Sequence, residues 1–259
     1  MFKIIPILAL QDNYIWSICN SDFQEVIIVD PGDDKPVLDF LYQNNLKLTA
    51  ILITHHHMDH TAGLSGILST WDAPVYGSSI SKIKYITNKL HDGDLITFFN
   101  NNISFKVLEI PGHTLDHIAY YGEELLFSGD TLFTGGCGRI FEGTAWQMFA
   151  SLGKLKTLPG ETKLYCGHEY TLSNLYFAKK IEPNNILLQQ RFLEVEKCIN
   201  NKLPTVPATL SIEVGTNPFL RTKEKEVILS VQQYYEAKYI TKMDISEYNL
   251  FAVLRGWKG

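Results

Sequence analysis

An α/β layered domain followed by a smaller, mainly helical region is the architecture this sequence predicts, on three observations. Up to about residue 170, short β-rich runs alternate with turn signals and a few amphipathic patches, the mixture expected when sheets are layered against helices. After about Thr171 the texture changes, and apolar residues recur at helical spacing over most of the last 90 or so residues. Several of the β-rich runs also end alike, in glycine followed by a histidine or aspartate.

Taken in order, the apolar run from Ile4 to Leu10 carries one lysine nearby, is broken by Pro6 and has no small-residue cleavage site, so it reads as a strand rather than a signal peptide. EVIIVDPGD is a buried strand closed by a Pro-Gly turn, and KPVLDFLYQNN an amphipathic helix. LTAILIT is a second buried strand, GLSGILSTW a helix, and ISFKVLEI, ELLFSGDTLF and TKLYCGH further strands, with the helix TAWQMFASLGKL before the last. Beyond residue 171, Leu188, Phe192, Val195 and Ile199 keep helical spacing, as do Val227, Val231 and Tyr234. LPTVPAT separates those helices, and Ser246 is placed to cap a last one through ISEYNLFAVLRG. The expected division is 1–171 and 172–259.

The composition narrows the function. With 259 residues, 45% hydrophobic, the chain can bury one large core or two modest ones. Lys plus Arg is 23 and Asp plus Glu is 28, a net charge of -5, which argues against a phosphate-backbone partner but leaves room for a small anion in a local basic pocket. Cys19, Cys137, Cys166 and Cys198 are scattered without a C-x-x-C pair, as suits a reducing compartment. No apolar stretch approaches the roughly 18 residues of a membrane helix. A cytoplasmic protein is expected.

Residues 53–63 read ITHHHMDHTAG, so half of the eight histidines fall within six positions. The spacing is H-x-H-x-D-H, not the i, i+4 pair of a helical zinc protease motif. On an extended segment His55, His57 and Asp59 point to one side and His56 to the other, while His60 turns away as the chain bends into a helix. Further candidates follow strands in the same manner: His113 after Pro111-Gly112, Asp130 after Ser128-Gly129, and His168 after Cys166-Gly167. Glycine permits an unusual backbone angle and close approach to an ion. His117 is placed to orient a ligand, and His91, in the polar turn LHDGD, reads as a surface residue.

Five histidines and two aspartates exceed one tetrahedral site. Shared by two divalent ions about 3.5–4 Å apart they leave room for a bridging water, which loses a proton near neutral pH and becomes a nucleophile. The expected chemistry is hydrolysis. No G-x-S-x-G elbow competes with it, and neither Cys137 nor Cys166 has a His and Asn constellation of its own.

THHHMDH, with PGHT, SGDTLF and CGHEY downstream, resembles the metallo-β-lactamase superfamily. DNYIW, VDPGD, GGCGRIFEGTA, HEYTLSNL, FLRT and LRGWK make the chain most similar to its glyoxalase II family, the hydroxyacylglutathione hydrolases, over nearly the whole length. The resemblance implies a four-layer αββα sandwich with a dinuclear site at one edge, then a helical domain that helps bind glutathione. It implies that His55, His57 and His113 hold one metal, Asp59, His60 and His168 the other, and that Asp130 bridges them. Zinc is the first expectation, and imidazole and carboxylate ligands also suit iron or manganese.

The same resemblance implies that Arg139, Phe141, Tyr170, Arg255 and Lys258 contact the substrate. Arg255 and Lys258, three apart, share a helix face and can grip one carboxylate region of glutathione. Phe141 stands where many relatives carry tyrosine, Asp116 stands where glycine is usual, and the chain stops soon after LRGWK. The implied reaction is hydrolysis of S-D-lactoylglutathione to D-lactate and glutathione, in methylglyoxal detoxification, by a monomer with Asp59 orienting the hydroxide. A thiolate with a pKa of about 8.5 leaves without a separate general acid. The rivals are a glutathione persulfide dioxygenase with a single iron, and a non-catalytic metal-binding scaffold. A β-lactamase is disfavoured because Asp130 stands where many carry a cysteine ligand, and a nuclease by the acidic charge.

Overall fold

Residues 2–239 and 241–259 are described by the structure, a computed structural model. The chain divides into two units. The first comprises Met1–Glu109, Asp116–Gly129 and Tyr165–His168. Its strands are β1 (Lys3–Ala9), β2 (Asn13–Cys19), β3 (Glu25–Val29), β4 (Lys47–Leu52), β5 (Val75–Ser78), β6 (Asn88–Leu90), β7 (Leu95–Phe98), β8 (Ile103–Glu109), β9 (Ile118–Gly122) and β10 (Leu125–Gly129), with helices α1 (Asp34–Gln43), α2 (Met58–Thr61) and α3 (Leu64–Thr70).

Strands β1 to β6 form one sheet in chain order. The first three are antiparallel and the rest parallel. That change follows from composition: EVIIV and TAIL are near-continuous apolar runs, which suit parallel strands covered on both faces. Ile15, Ile28, Ile51, Val37 and Leu41 share one core there. Since β3 and β4 are parallel, Asp30 and Thr54 leave the sheet at the same edge, the carboxyl ends where α/β sheets place ligands. A second sheet runs β7, β8, β9, β10 and then the strand Lys163–Cys166. The run ELLFSGDTLF is therefore not one strand. It stops at Gly129, whose φ of +48° turns the chain just before Asp130.

The second unit comprises Ile110–Leu115, Asp130–Leu164 and Glu169–Gly259. The hairpin β11 (Leu132–Phe133) and β12 (Gly136–Cys137) opens it after Asp130. Helix α4 (Ala145–Lys156) starts with a capping box between Thr144 and Gln147. The beginning of β13 (Lys163–Cys166) pairs with β14 (Ala208–Thr209). Then come α5 (Thr171–Ile181), α6 (Ile186–Asn200), α7 (Leu210–Thr216), α8 (Lys225–Tyr239) and α9 (Glu247–Lys258). Leu188, Phe192 and Val195 of α6 pack with Leu175 and Ala178 of α5, the face expected from their spacing. Ser246 caps α9 by accepting from the amide of Asn249. The stretch LPTVPAT is not wholly a loop: Ala208 and Thr209 pair as β14, and Thr209 caps α7. Among the described residues no helix is long and apolar enough to cross a membrane.

Candidate metal centre

In the first unit β4 ends at Leu52, and the chain stays irregular through His55 and His56 before α2 begins at Met58. Asp59 thus lies on the first turn of a helix, not on the extended segment expected from its spacing. Gly32 lets the chain close in on that turn: a Cβ there would fall 1.8 Å from the carbonyl oxygen of Asp59. Thr61 then donates its hydroxyl to the His57 carbonyl at 2.9 Å.

Asp59, His60 and His168 converge. Nε2 of His60 is 3.3 Å from Nε2 of His168, and Oδ2 of Asp59 is 3.6 Å and 3.3 Å from those two nitrogens. Carboxylates hold the other ring nitrogens: Asp30 lies 3.1 Å from Nδ1 of His60, and Asp12 2.8 Å from Nδ1 of His168. Partners of that kind set the Nδ1–H tautomer, so both Nε2 lone pairs and the Asp59 oxygen face one another as acceptors. Three acceptors at that separation repel unless a cation lies among them. Their spacing also fits one, since tetrahedral bonds of about 2.0–2.1 Å give donor–donor edges of about 3.3–3.4 Å. The residues fit a metal ion.

His55 is 1% exposed, with Nδ1 3.0 Å from the Thr54 hydroxyl. Its ring stacks on His117, with centroids 4.6 Å apart and planes at 13°, and meets His57 edge-on at 4.8 Å. His117 thus lies against His55, the candidate ligand nearest to it in this stack. His56 turns to Asp116, Nδ1 to Oδ1 at 2.8 Å, so the unusual carboxylate is taken by the histidine between two candidate ligands. His91 is exposed beside Asp94.

In the second unit His113 follows Gly112, whose φ is +153° and whose missing Cβ would fall 2.7 Å from Cα of Met148. Nδ1 of His113 meets the Arg139 carbonyl at 2.8 Å, and Nε2 is 3.5 Å from Oδ2 of Asp130. Arg139 is exposed, and the ring of Phe141, 62% exposed, stands edge-on to His113 at 5.2 Å. Tyr170 is half-buried, edge-on to Phe133.

The basic end of α9 is partly committed. Arg255 is 7% exposed and donates to the carbonyls of Cys137 at 2.8 Å and Gly259 at 2.9 Å. Lys258 donates to Oδ1 of Asn174, and burial lowers its ammonium to about 8. Burial raises the Cys137 thiol, with the nearby Arg255 charge only partly offsetting it, so this cysteine is a poor thiolate.

Several residues here escape a reading by residue type. Asp12, Asn13 and Asp30 belong to DNYIW and VDPGD; Asp30 at least carries a signal, a strand-end aspartate before a turn, the pattern that flags Asp130. In the second unit Asn174, Glu213 and Asn217 hold the β11–β12 hairpin: Asn174 donates to the Thr134 carbonyl, Glu213 accepts from the Gly135 amide, and Asn217 donates to the Gly136 carbonyl. Nothing in the local sequence marks them.

Comparison with known proteins gives the class first: residues 15–168 match the metallo-β-lactamase superfamily, in keeping with the mixed sheets and helices of this chain and with His/Asp clusters that suggest a dinuclear metal site. Residues 169–259 match the hydroxyacylglutathione hydrolase C-terminus. The hydroxyacylglutathione hydrolase of Nitrosomonas eutropha is 46% identical over 258 residues, covering 100% of this chain and 98% of that protein. That of Hahella chejuensis is 47% identical over 262 residues, covering 100% and 99%. A solved structure, TTHA1623 in a di-iron-bound form, aligns with a TM-score of 0.59 at 26% identity, covering 84% of this chain and 100% of that one. The chain belongs to the hydroxyacylglutathione hydrolase family, and it is an enzyme of the thioester hydrolase class.

Proposed function

We propose that the protein hydrolyses S-D-lactoylglutathione to D-lactate and glutathione, completing methylglyoxal detoxification in the cytoplasm, as a monomer. The observation that carries this reading is the trio of acceptors on Asp59, His60 and His168, each histidine locked by a carboxylate at its far nitrogen. In this reading His55, His57 and His113 would hold one ion and Asp59, His60 and His168 another, with Asp130 a further ligand. When bound, such ions supply Lewis acidity toward a carbonyl oxygen and a water activated at neutral pH. Zinc suits these ligands, as do iron and manganese, and iron is the metal of the relative solved in di-iron form.

The remaining work belongs to the chain. Residues 1–171 present the ligands, and Asp59, 40% exposed at its side chain, orients the attacking water. Residues 172–259 help hold glutathione together with parts of the preceding segment: Lys258, with Tyr170 and Arg139, meets its carboxylates, Phe141 covers one side, and Arg255 fixes the Cys137–Gly138 backbone that leads to Arg139. Glutathione thiolate departs without a proton donor, its thiol having a pKa of about 8.5.

The test is loss of the thioester bond by purified protein loaded with zinc or iron, with and without chelator. Chelator-sensitive hydrolysis is expected. Absence of hydrolysis by folded, metal-loaded protein overturns the assignment, and oxygen uptake with glutathione persulfide would then identify the dioxygenase alternative.

A further inference from the structure

We propose that the segment Asp12–Trp16 is a positioning strap for the second metal position, with Asp12 setting His168 and Asn13 setting Asp59; this rests on the ligand assignment above. Four of its five residues act on ligands or on the segment that carries one. Asp12 Oδ1 lies 2.8 Å from Nδ1 of His168. Asn13, 6% exposed, donates from Nδ2 to Oδ2 of Asp59 at 3.1 Å and to the Asp59 carbonyl at 3.2 Å. The Tyr14 amide donates to the Gly167 carbonyl at 2.8 Å, and the Trp16 indole to the Cys166 carbonyl at 2.9 Å. Ile15 turns to the core.

The geometry couples two ligands through one turn. Oδ2 of Asp59, the oxygen that Asn13 grips, is also the one 3.3 Å from Nε2 of His168. A carboxylate held by an amide cannot rotate that oxygen away, and it keeps a lone pair for a cation. On the other side, Asp12 fixes the His168 tautomer and ring angle and raises the basicity of Nε2. The bridge between Asn13 and His168 holds both contacts in register. Asp12 has a side chain 39% exposed, so removing it leaves no buried charge alone and does little to folding. It acts on the ligand, not on the core.

The test is a zinc titration of metal-free, full-length protein against a chromophoric chelator, for the wild type, Asp12→Ala, Asp12→Asn and Asn13→Ala, with circular dichroism of each metal-free form. The wild type is expected to take up two ions. In Asp12→Ala and Asn13→Ala one of the two should weaken by about 10–100-fold while the other is unchanged. Asp12→Asn, which keeps an acceptor for Nδ1–H, should lose less than Asp12→Ala, a grading that a merely structural role would not give. Variants that bind both ions as the wild type does overturn the strap and leave the proposed function standing. A wild type that takes up only one ion overturns the two-metal reading, and the strap falls with it.

Discussion

Asp30 joins His60 to Thr54: its carboxylate lies 3.1 Å from Nδ1 of His60, 2.8 Å from the Thr54 amide and 2.7 Å from the Thr54 hydroxyl. Thr54 in turn reaches Nδ1 of His55 at 3.0 Å. One aspartate, 4% exposed, therefore orients two candidate ligands from the end of β3. Its oxygens are engaged with these donors, which makes it a support for ligands more than a ligand itself.

Asp30→Ala should cost both metal and stability. It strands the Thr54 amide and the His60 ring N–H, each worth about 1–3 kcal/mol when buried without an acceptor. Metal affinity should fall by about 10–100-fold. Denaturant unfolding of the metal-free form and a zinc titration measure the two effects separately.

Glu213 is fully buried, pairs with Arg191, and accepts from the Gly135 amide and the Asn217 side chain. Glu213→Ala leaves the Arg191 charge buried without its partner, so a loss of about 3–5 kcal/mol is expected in chemical denaturation. Glu213→Gln, which retains shape and an acceptor, should lose less. If the two variants unfold together with the wild type, the buried pair is not what holds this region.

Lys258 gives the pH dependence. Burial lowers it from 10.5 to about 8, so it loses its positive charge as pH rises through about 8, and the hold on a substrate carboxylate proposed for it should go with it. KM should rise above that pH with kcat changing less, and Lys258→Met should abolish that limb of the KM profile. For stability the sign is opposite. Between about 8 and 10.5 the unfolded chain binds more protons at this group, so its contribution rises with pH.

Phe141→Tyr should tighten substrate binding. The ring is exposed and already fixed beside His113, so a hydroxyl adds a donor with no repacking. One hydrogen bond worth about 0.5–1.5 kcal/mol corresponds to a KM lower by about 2–10-fold. Steady-state kinetics would show it, with the melting temperature unchanged.

Much of this protein is legible from local pattern. Period-2 and continuous apolar runs mark β1, β3, β4 and β8, and 3.6-residue spacing marks α1, α6 and α8, because a side chain's burial repeats with the geometry of its own element. The seven candidate ligands are legible as well, since each lies in the segment that follows a strand, three of them directly behind a glycine.

The rest has no local signature. Asn13 meets Asp59 across 46 positions, and Asp12 meets His168 across 156. Spacing also misplaces Asp59, which lies in the first turn of α2 with its backbone packed against Gly32. By itself the sequence determined the candidate ligand residues and the strands they follow. Only the tertiary structure decided which nitrogen of each ring faces inward and what holds Asp59, because those choices are made by hydrogen bonds between residues that chain distance leaves unrelated and folding brings within 3 Å or so.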